Sequence, residues 1–244
     1  MNRRLSDNTC VYREDDLESN KPLADKLNKA WRFLYGRGFI DGFGHISART
    51  ESPDQILVAP HSLRDDSHPE DFVLVDLEGN QLETDVKLPA ELPIHLAIYR
   101  NRPDVGSVAH LHSIYATSFT MSSRTLGISY FLGSVFRKGI PLHPDSRLIV
   151  DRERANALAE SLGPRRAVLM KAHGVVVAGD DVEEMVAWAF LLEENARRTW
   201  ISAAVGDVEF LDGALMEEIE GEMLTSRGPI KRIWSLCEAE SGVD

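Results

Sequence analysis

The sequence predicts a single α/β domain in which a central, mainly antiparallel or mixed β-sheet is flanked by helices. Three observations support this. Short apolar runs bounded by turn residues recur between positions 45 and 179, so strands are spread along most of the chain. Between them lie stretches whose apolar residues recur at helical spacing. No internal repeat or low-complexity linker divides the chain, which makes one domain the simplest partition.

Residues 1–16 are polar and read as a flexible N-terminal segment. Over 21–35, Leu23, Leu27, Ala30, Trp31 and Leu34 share a helical face, and Gly36 and Gly38 stop the helix. DGFGHISART at 41–50 reads as a turn followed by a strand. Alternation puts Ile46 and Ala48 on one face and His45, Ser47 and Arg49 on the other. QILVAP and FVLVDL are short strands separated by the polar loop HSLRDDSHPED. KLPAELPIHLAIYRNRPD opens a helix, with Pro93 in its first turn and 101–103 as its stop.

VGSVAHLHS is a strand entering a polar turn, and a short helix follows over 114–121. Residues 125–150 look irregular. RERANALAESLG is a helix with a glycine stop. RRAVLMKAHG is a strand ending in a loop, and VVVAG continues as the next strand. Asp180 or Asp181 caps the longest helix, whose apolar stripe is Met185, Trp188, Ala189, Leu192 and Ala196. The acidic tail beyond Gly206 carries one expected helix around 214–223. The main domain is thus expected over 17–205, with 206–244 as a C-terminal extension that reaches a subunit interface.

Acidic residues outnumber Lys plus Arg by 39 to 27, a net charge of -12. That field disfavours nucleic acid and anionic membrane as partners. Local arginines still leave room for a small anionic ligand. No run approaches 18 apolar residues, so no membrane span is expected. The first residues lack the apolar core of a signal peptide, so the expected compartment is the cytoplasm. Two cysteines, Cys10 and Cys237, do not make a disulfide scaffold.

Three of the eight histidines stand out. His110 and His112 lie two apart at a strand end, on one face, where two imidazoles can chelate a divalent ion. His173 sits where another apolar strand gives way to a glycine turn. It completes a set of three if the two strand ends are neighbours. Three protein nitrogens leave coordination positions open for substrate or water. Ordinary packing histidines are the competing reading. Glu91, at a helix start between Pro89 and Pro93, is the acidic candidate, as a ligand, base or acid. His95, one turn later, reads as a helix-stabilising residue, a supporting residue or a ligand.

GHISAR at 44–49, LPAELPIHLAIYRNRPDVGSVAHLHS at 88–113 and LMKAHGVVVAG at 169–179 together resemble the class II aldolase/adducin family. The resemblance covers about residues 23–198. It implies that His110, His112 and His173 bind one divalent ion, manganese or zinc, and that Glu91 is the acid/base residue. It also implies a homotetramer with active sites at subunit boundaries. The family includes sugar-phosphate aldolases, an epimerase, a dehydratase, decarboxylases and non-catalytic adducin heads, so fold does not fix the reaction.

Sugar-phosphate members carry a Gly-Asn turn, a Thr/Ser-Gly turn and a Ser-Ser before the glutamate. Here those positions hold Gly44-His45, Ala59-Pro60-His61-Ser62 and Pro89-Ala90. Pro60 and Pro89 have no N–H, and Ala90 has no hydroxyl. The resemblance is therefore nearer the branch that decarboxylates hydroxylated aromatic dicarboxylates, of dihydroxyphthalate or hydroxypyridine dicarboxylate type. His45, Ser47, His61, Ser62, Arg64, Arg137 and His143 are the expected substrate contacts, arginine forks being suited to carboxylates. The alternatives are a metal-dependent aldolase for a non-phosphorylated hydroxy-keto acid and a non-catalytic interaction module.

Overall fold

The computed structural model describes residues 14–82 and 85–242, with side chains from residue 19 onward. Residues 1–13 of the expected flexible segment, with Cys10, lie outside the described residues, and 14–16 belong to the first helix. Helix α1 (Glu14–Gly36) begins earlier than its apolar stripe and carries Pro22 within it. Then come strands β1 (His45–Arg49), β2 (Gln55–Val58) and β3 (Val73–Asp76), and helix α2 (Leu92–Asn101). Strand β4 (Ser107–Leu111), helix α3 (Ile114–Thr120) and the two-residue β5 (Leu142–His143) follow. Helix α4 (Arg152–Leu162), strands β6 (Ala167–Met170) and β7 (Gly174–Gly179), and helix α5 (Val182–Val205) complete the region of strands.

The seven strands form one sheet in the order β3-β2-β1-β4-β7-β6-β5. Every described pairing is antiparallel except β5 with β6. The expected mainly antiparallel, mixed sheet is therefore present. Strand alternation sorts the core into two layers. Ile46, Ala48, Ala109, Leu111, Val175 and Val177 pack with α1, α3 and α5 on one face. Ile56, Val108, Val168, Met170, Val176 and Ala178 pack with α2 and α4 on the other. His45, Ser47 and His110 share the α2 face, and this alternation is what delivers polar groups to one end of the sheet.

Within the stretch expected to be irregular, FLGSVF forms a 3-10 helix at Phe131–Phe136. The tail holds two helices where one was expected: α6 (Gly213–Ser226) and α7 (Gly228–Ser241). Helix α7 packs on α1 and α5, burying Ile230, Ile233, Trp234 and Cys237. These residues follow the i, i+3, i+4, i+7 spacing of a helix, a signal the sequence carries. The Arg227 backbone, in the left-handed region at φ 47°, turns the chain between the two helices.

Candidate metal centre

Strand pairing brings the three histidines together. In the β4–β7 ladder Leu111 lies opposite Val175, so the end of β4 meets the beginning of β7. His110 is the penultimate residue of β4, and His112 follows its last. His173 occupies the tight β6–β7 turn, whose Met170 lies opposite Gly174. Gly174 is needed there, because a Cβ would stand 2.5 Å from the Leu111 carbonyl oxygen and 3.0 Å from the His112 ring. Ala172 takes the left-handed conformation, φ 51°, and its N–H donates to Thr120 Oγ1 at 2.8 Å. That turn aims His173 at β4.

The ring nitrogens Nε2 of His110 and His112 stand 3.3 Å apart. Ring centroids of His173 lie 5.1 Å from His110 and 5.6 Å from His112. One ligand nitrogen from each of the three lies within 4.8 Å of the others. The His110 Nδ1–H donates to the Val175 carbonyl at 3.2 Å, which leaves its Nε2 lone pair facing the cluster. Burial, then the neighbouring His110 and His173, pushes the His112 pKa down to about 4, so this imidazole is neutral and ligand-competent. Three imidazoles converging on one point suit a divalent ion of the borderline type, and the residues present could hold one.

Glu91 is the residue just before α2, but its side chain does not cap that helix. The carboxylate makes no bond to the helix start and is held by other groups. Its Oε1 accepts from the Ile149 N–H at 2.8 Å. Its Oε2 lies 3.5 Å from His110 Nε2 and 3.4 Å from His173 Nε2. Burial opposes its charge, yet the adjacent His110 and His173 rings and the Ile149 N–H outweigh it and hold the carboxyl well below the usual range. A carboxylate thus stands beside the metal-competent nitrogens, where proton transfer to a bound substrate is possible.

Behind this cluster lies a buried polar chain. His45 Nδ1 is 2.6 Å from His95 Nε2, His95 Nδ1 is 2.6 Å from Ser47 Oγ, and Ser47 Oγ is 2.8 Å from the Tyr99 hydroxyl. His95 is thus neither a helix surface residue nor placed among the three converging imidazoles. Tyr99 escaped the sequence reading, although its spacing of four from His95 puts both on one face of α2. Phe43 also escaped it. It stacks on His112 with ring centroids 5.8 Å apart while remaining 69% exposed, at the open side of the cluster.

The other expected contacts are dispersed. Ser47 is fully buried, with its hydroxyl engaged by His95 and Tyr99. His61, Ser62 and Arg64 line a separate cavity with Pro60, His68 and Lys87. Within it the His61 ring bonds the Ser62 hydroxyl at 2.9 Å, and the His61 N–H is taken by the Lys87 carbonyl. His143 is buried on β5 and its Nδ1 meets Ser161 Oγ at 2.9 Å. Arg137 ends the 3-10 helix, where Glu220 and Glu217 of α6 take its guanidinium. Arg49 lies over the Tyr99 ring and donates to the Tyr99 carbonyl, a supporting position.

The model of the Class II Aldolase and Adducin N-terminal domain matches residues 25–200. The chain belongs to the class II aldolase and adducin family. A 3,4-dihydroxyphthalate decarboxylase from Rhodococcus jostii (strain RHA1) is 31% identical over 222 residues, covering 84% of this chain and 90% of that one. A methylthioribulose-1-phosphate dehydratase from Pseudomonas savastanoi pv. phaseolicola (strain 1448A / Race 6) is 30% identical over 194 residues, covering 72% and 94%. Among solved structures, the L-fuculose 1-phosphate aldolase from Glaciozyma antarctica PI12 superposes with a TM-score of 0.79 at 22% identity, covering 95% and 94%. These class II aldolase relatives share the fold and differ in the bond they act on. Among the described residues no helix is long and apolar enough to cross a membrane.

Proposed function

We propose that this protein is a divalent-metal-dependent, non-oxidative decarboxylase of a hydroxylated aromatic dicarboxylate, a carbon–carbon lyase. The observation that carries the reading is the loss of phosphate donors beside an otherwise complete metal cluster. Pro60 and Pro89 have no N–H, Ala90 has no hydroxyl, and the His61 N–H is spent on Lys87. In their place stand imidazoles and an arginine, His45, His61 and Arg64, suited to carboxylate and phenol oxygens. Likeness to dihydroxyphthalate decarboxylases supports the same choice.

His110, His112 and His173 would hold manganese or zinc. Bound there, the ion supplies a Lewis acid that stabilises negative charge on a substrate oxygen. Glu91, ionised at rest, accepts the proton of a ring hydroxyl ortho to the departing carboxylate. It then delivers that proton to the ring carbon bearing the carboxylate. The ring passes into a keto form with a tetrahedral carbon. Carbon dioxide leaves, its bonding electrons restore the ring, and the phenolate product takes a proton from water. His61, Ser62 and Arg64 are assigned to the second carboxylate, and His143 to the wall of the site. Exposed Phe43 offers a flat apolar surface at the mouth. The partner subunits of a homotetramer enclose that mouth.

The runner-up is an aldolase of a non-phosphorylated hydroxy-keto acid, which would use the same cluster and Glu91. Incubating the manganese-loaded protein with hydroxylated aromatic diacids and with aldol acids, and identifying products by mass, separates them. Carbon dioxide and a monoacid are expected. Aldehyde release from an aldol acid with no reaction of any aromatic diacid overturns the proposal.

A further inference from the structure

The chain from Tyr99 to His45 is closed at one end, and that fixes its direction. Ser47 and His95 are wholly buried, Tyr99 is 2% exposed and His45 6%. A buried phenol must donate its proton, and among the described residues the acceptor within reach is Ser47 Oγ, 2.8 Å away. Burial also pushes the Tyr99 phenol upward, so it keeps that proton. Ser47, having accepted from Tyr99, has one hydrogen left to give, and His95 Nδ1 at 2.6 Å takes it. A neutral imidazole that accepts at Nδ1 carries its hydrogen at Nε2. His95 therefore donates from Nε2 to His45 Nδ1, again at 2.6 Å. By the same rule His45 carries its own hydrogen at Nε2.

One His45 nitrogen lies within 4.8 Å of ligand atoms of Glu91 and His110. Because Nδ1 is occupied by His95, the nitrogen open to the site is Nε2. Two clusters could thus hold a metal by proximity alone: His110/His112/His173, and His45/Glu91/His110. Proton placement distinguishes them, since a protonated ring nitrogen has no lone pair for a metal.

We propose that Tyr99, Ser47 and His95 fix His45 as the Nε2-protonated tautomer, making it a permanent N–H donor to an anionic substrate oxygen beside the metal and not a fourth imidazole ligand. Tyr99, Ser47 and His95 are positioning residues. A donor held this way needs no reorganisation as charge develops on a carboxylate or enolate oxygen. The chain ends at a buried phenol, so it orients a proton and does not conduct one to solvent. This inference rests on the metal-site reading and not on which bond the enzyme breaks.

The test uses zinc-loaded full-length protein with 15N-labelled histidine, whose eight imidazoles give a tractable spectrum. Long-range proton–nitrogen correlations, assigned through bonds from the backbone, report which ring nitrogen bears hydrogen. His45 and His95 are both expected to be protonated at Nε2 with bare Nδ1. A His45 protonated at Nδ1 overturns the proposal. In Tyr99→Phe the terminal donor is gone, Ser47 is free to turn, and His45 should become a mixture of tautomers while zinc stoichiometry stays unchanged. A His45 spectrum unaltered by Tyr99→Phe overturns the ladder. Zinc affinity reads the ligand question separately: His45→Gln should alter it less than threefold, and a loss as large as that of His112→Gln makes His45 a ligand. No substrate enters these measurements, so an incorrect decarboxylase reading would leave their outcome intact.

Discussion

Replacing Glu91 by Gln keeps the side chain's shape and its acceptor for the Ile149 N–H, but removes the charge facing His110 and His173. The three imidazoles remain, so metal content measured by elemental analysis is expected to be unchanged. Turnover should fall by about 10²–10⁴-fold, the usual contribution of a positioned acid/base group. Near-normal turnover would remove Glu91 from the proton-transfer role. Ser47 illustrates a second property of single positions. Its residue type suited a substrate contact, yet its hydroxyl is buried behind His45 and serves the ring in front of it.

At the scale of elements, α2 against β1 is the decisive packing. Helix α2 supplies His95 and Tyr99, strand β1 supplies His45 and Ser47, and the four interlock in one buried polar chain. Burial, then the neighbouring His110, pushes His95 down to about 3. In the unfolded chain a histidine binds its proton near pH 6.5. Between roughly pH 6.5 and about 3 the unfolded state therefore binds more protons at this site than the folded state. Stability must fall as pH drops through that window. His112, lowered to about 4, acts with the same sign. Denaturant midpoints of metal-free protein measured from pH 7 downward are expected to decline already above the carboxylate range, and His95→Gln should flatten that early decline. A flat wild-type profile between pH 6.5 and 5 would contradict the neutral buried pair.

On the whole-molecule scale, several large apolar side chains stay exposed, one of them against the site. Phe43 lies over His112, Ile114 follows two residues on, and Trp200 of α5 lies 5.8 Å from the Tyr115 ring. Val205, at the end of α5, is 87% exposed. Exposed apolar side chains of this size suit a contact surface. Light scattering is expected to give four times the 27.3 kDa chain mass. Trp200→Glu should shift the protein toward smaller species and lower its turnover together. A monomer of full activity would refute the enclosed site.

Much of this was legible in the chain itself. Alternation put His45 with Ser47 on one face of their strand and His110 with His112 on one face of theirs, and the cap at Asp180 or Asp181 with its apolar stripe located α5. The loss of phosphate donors was likewise written in Pro60, Pro89 and Ala90. These are local properties, set by side-chain period and backbone chemistry, and need no knowledge of distant neighbours. Only the tertiary structure decided that His173 meets the His110/His112 pair, because that depends on antiparallel pairing between strands 60 residues apart or more. It likewise committed Arg137 to Glu220, held Glu91 by groups other than its own helix start, and joined Tyr99 to His45. Each of those outcomes depends on which groups burial leaves within hydrogen-bonding distance, and sequence spacing carries no record of that.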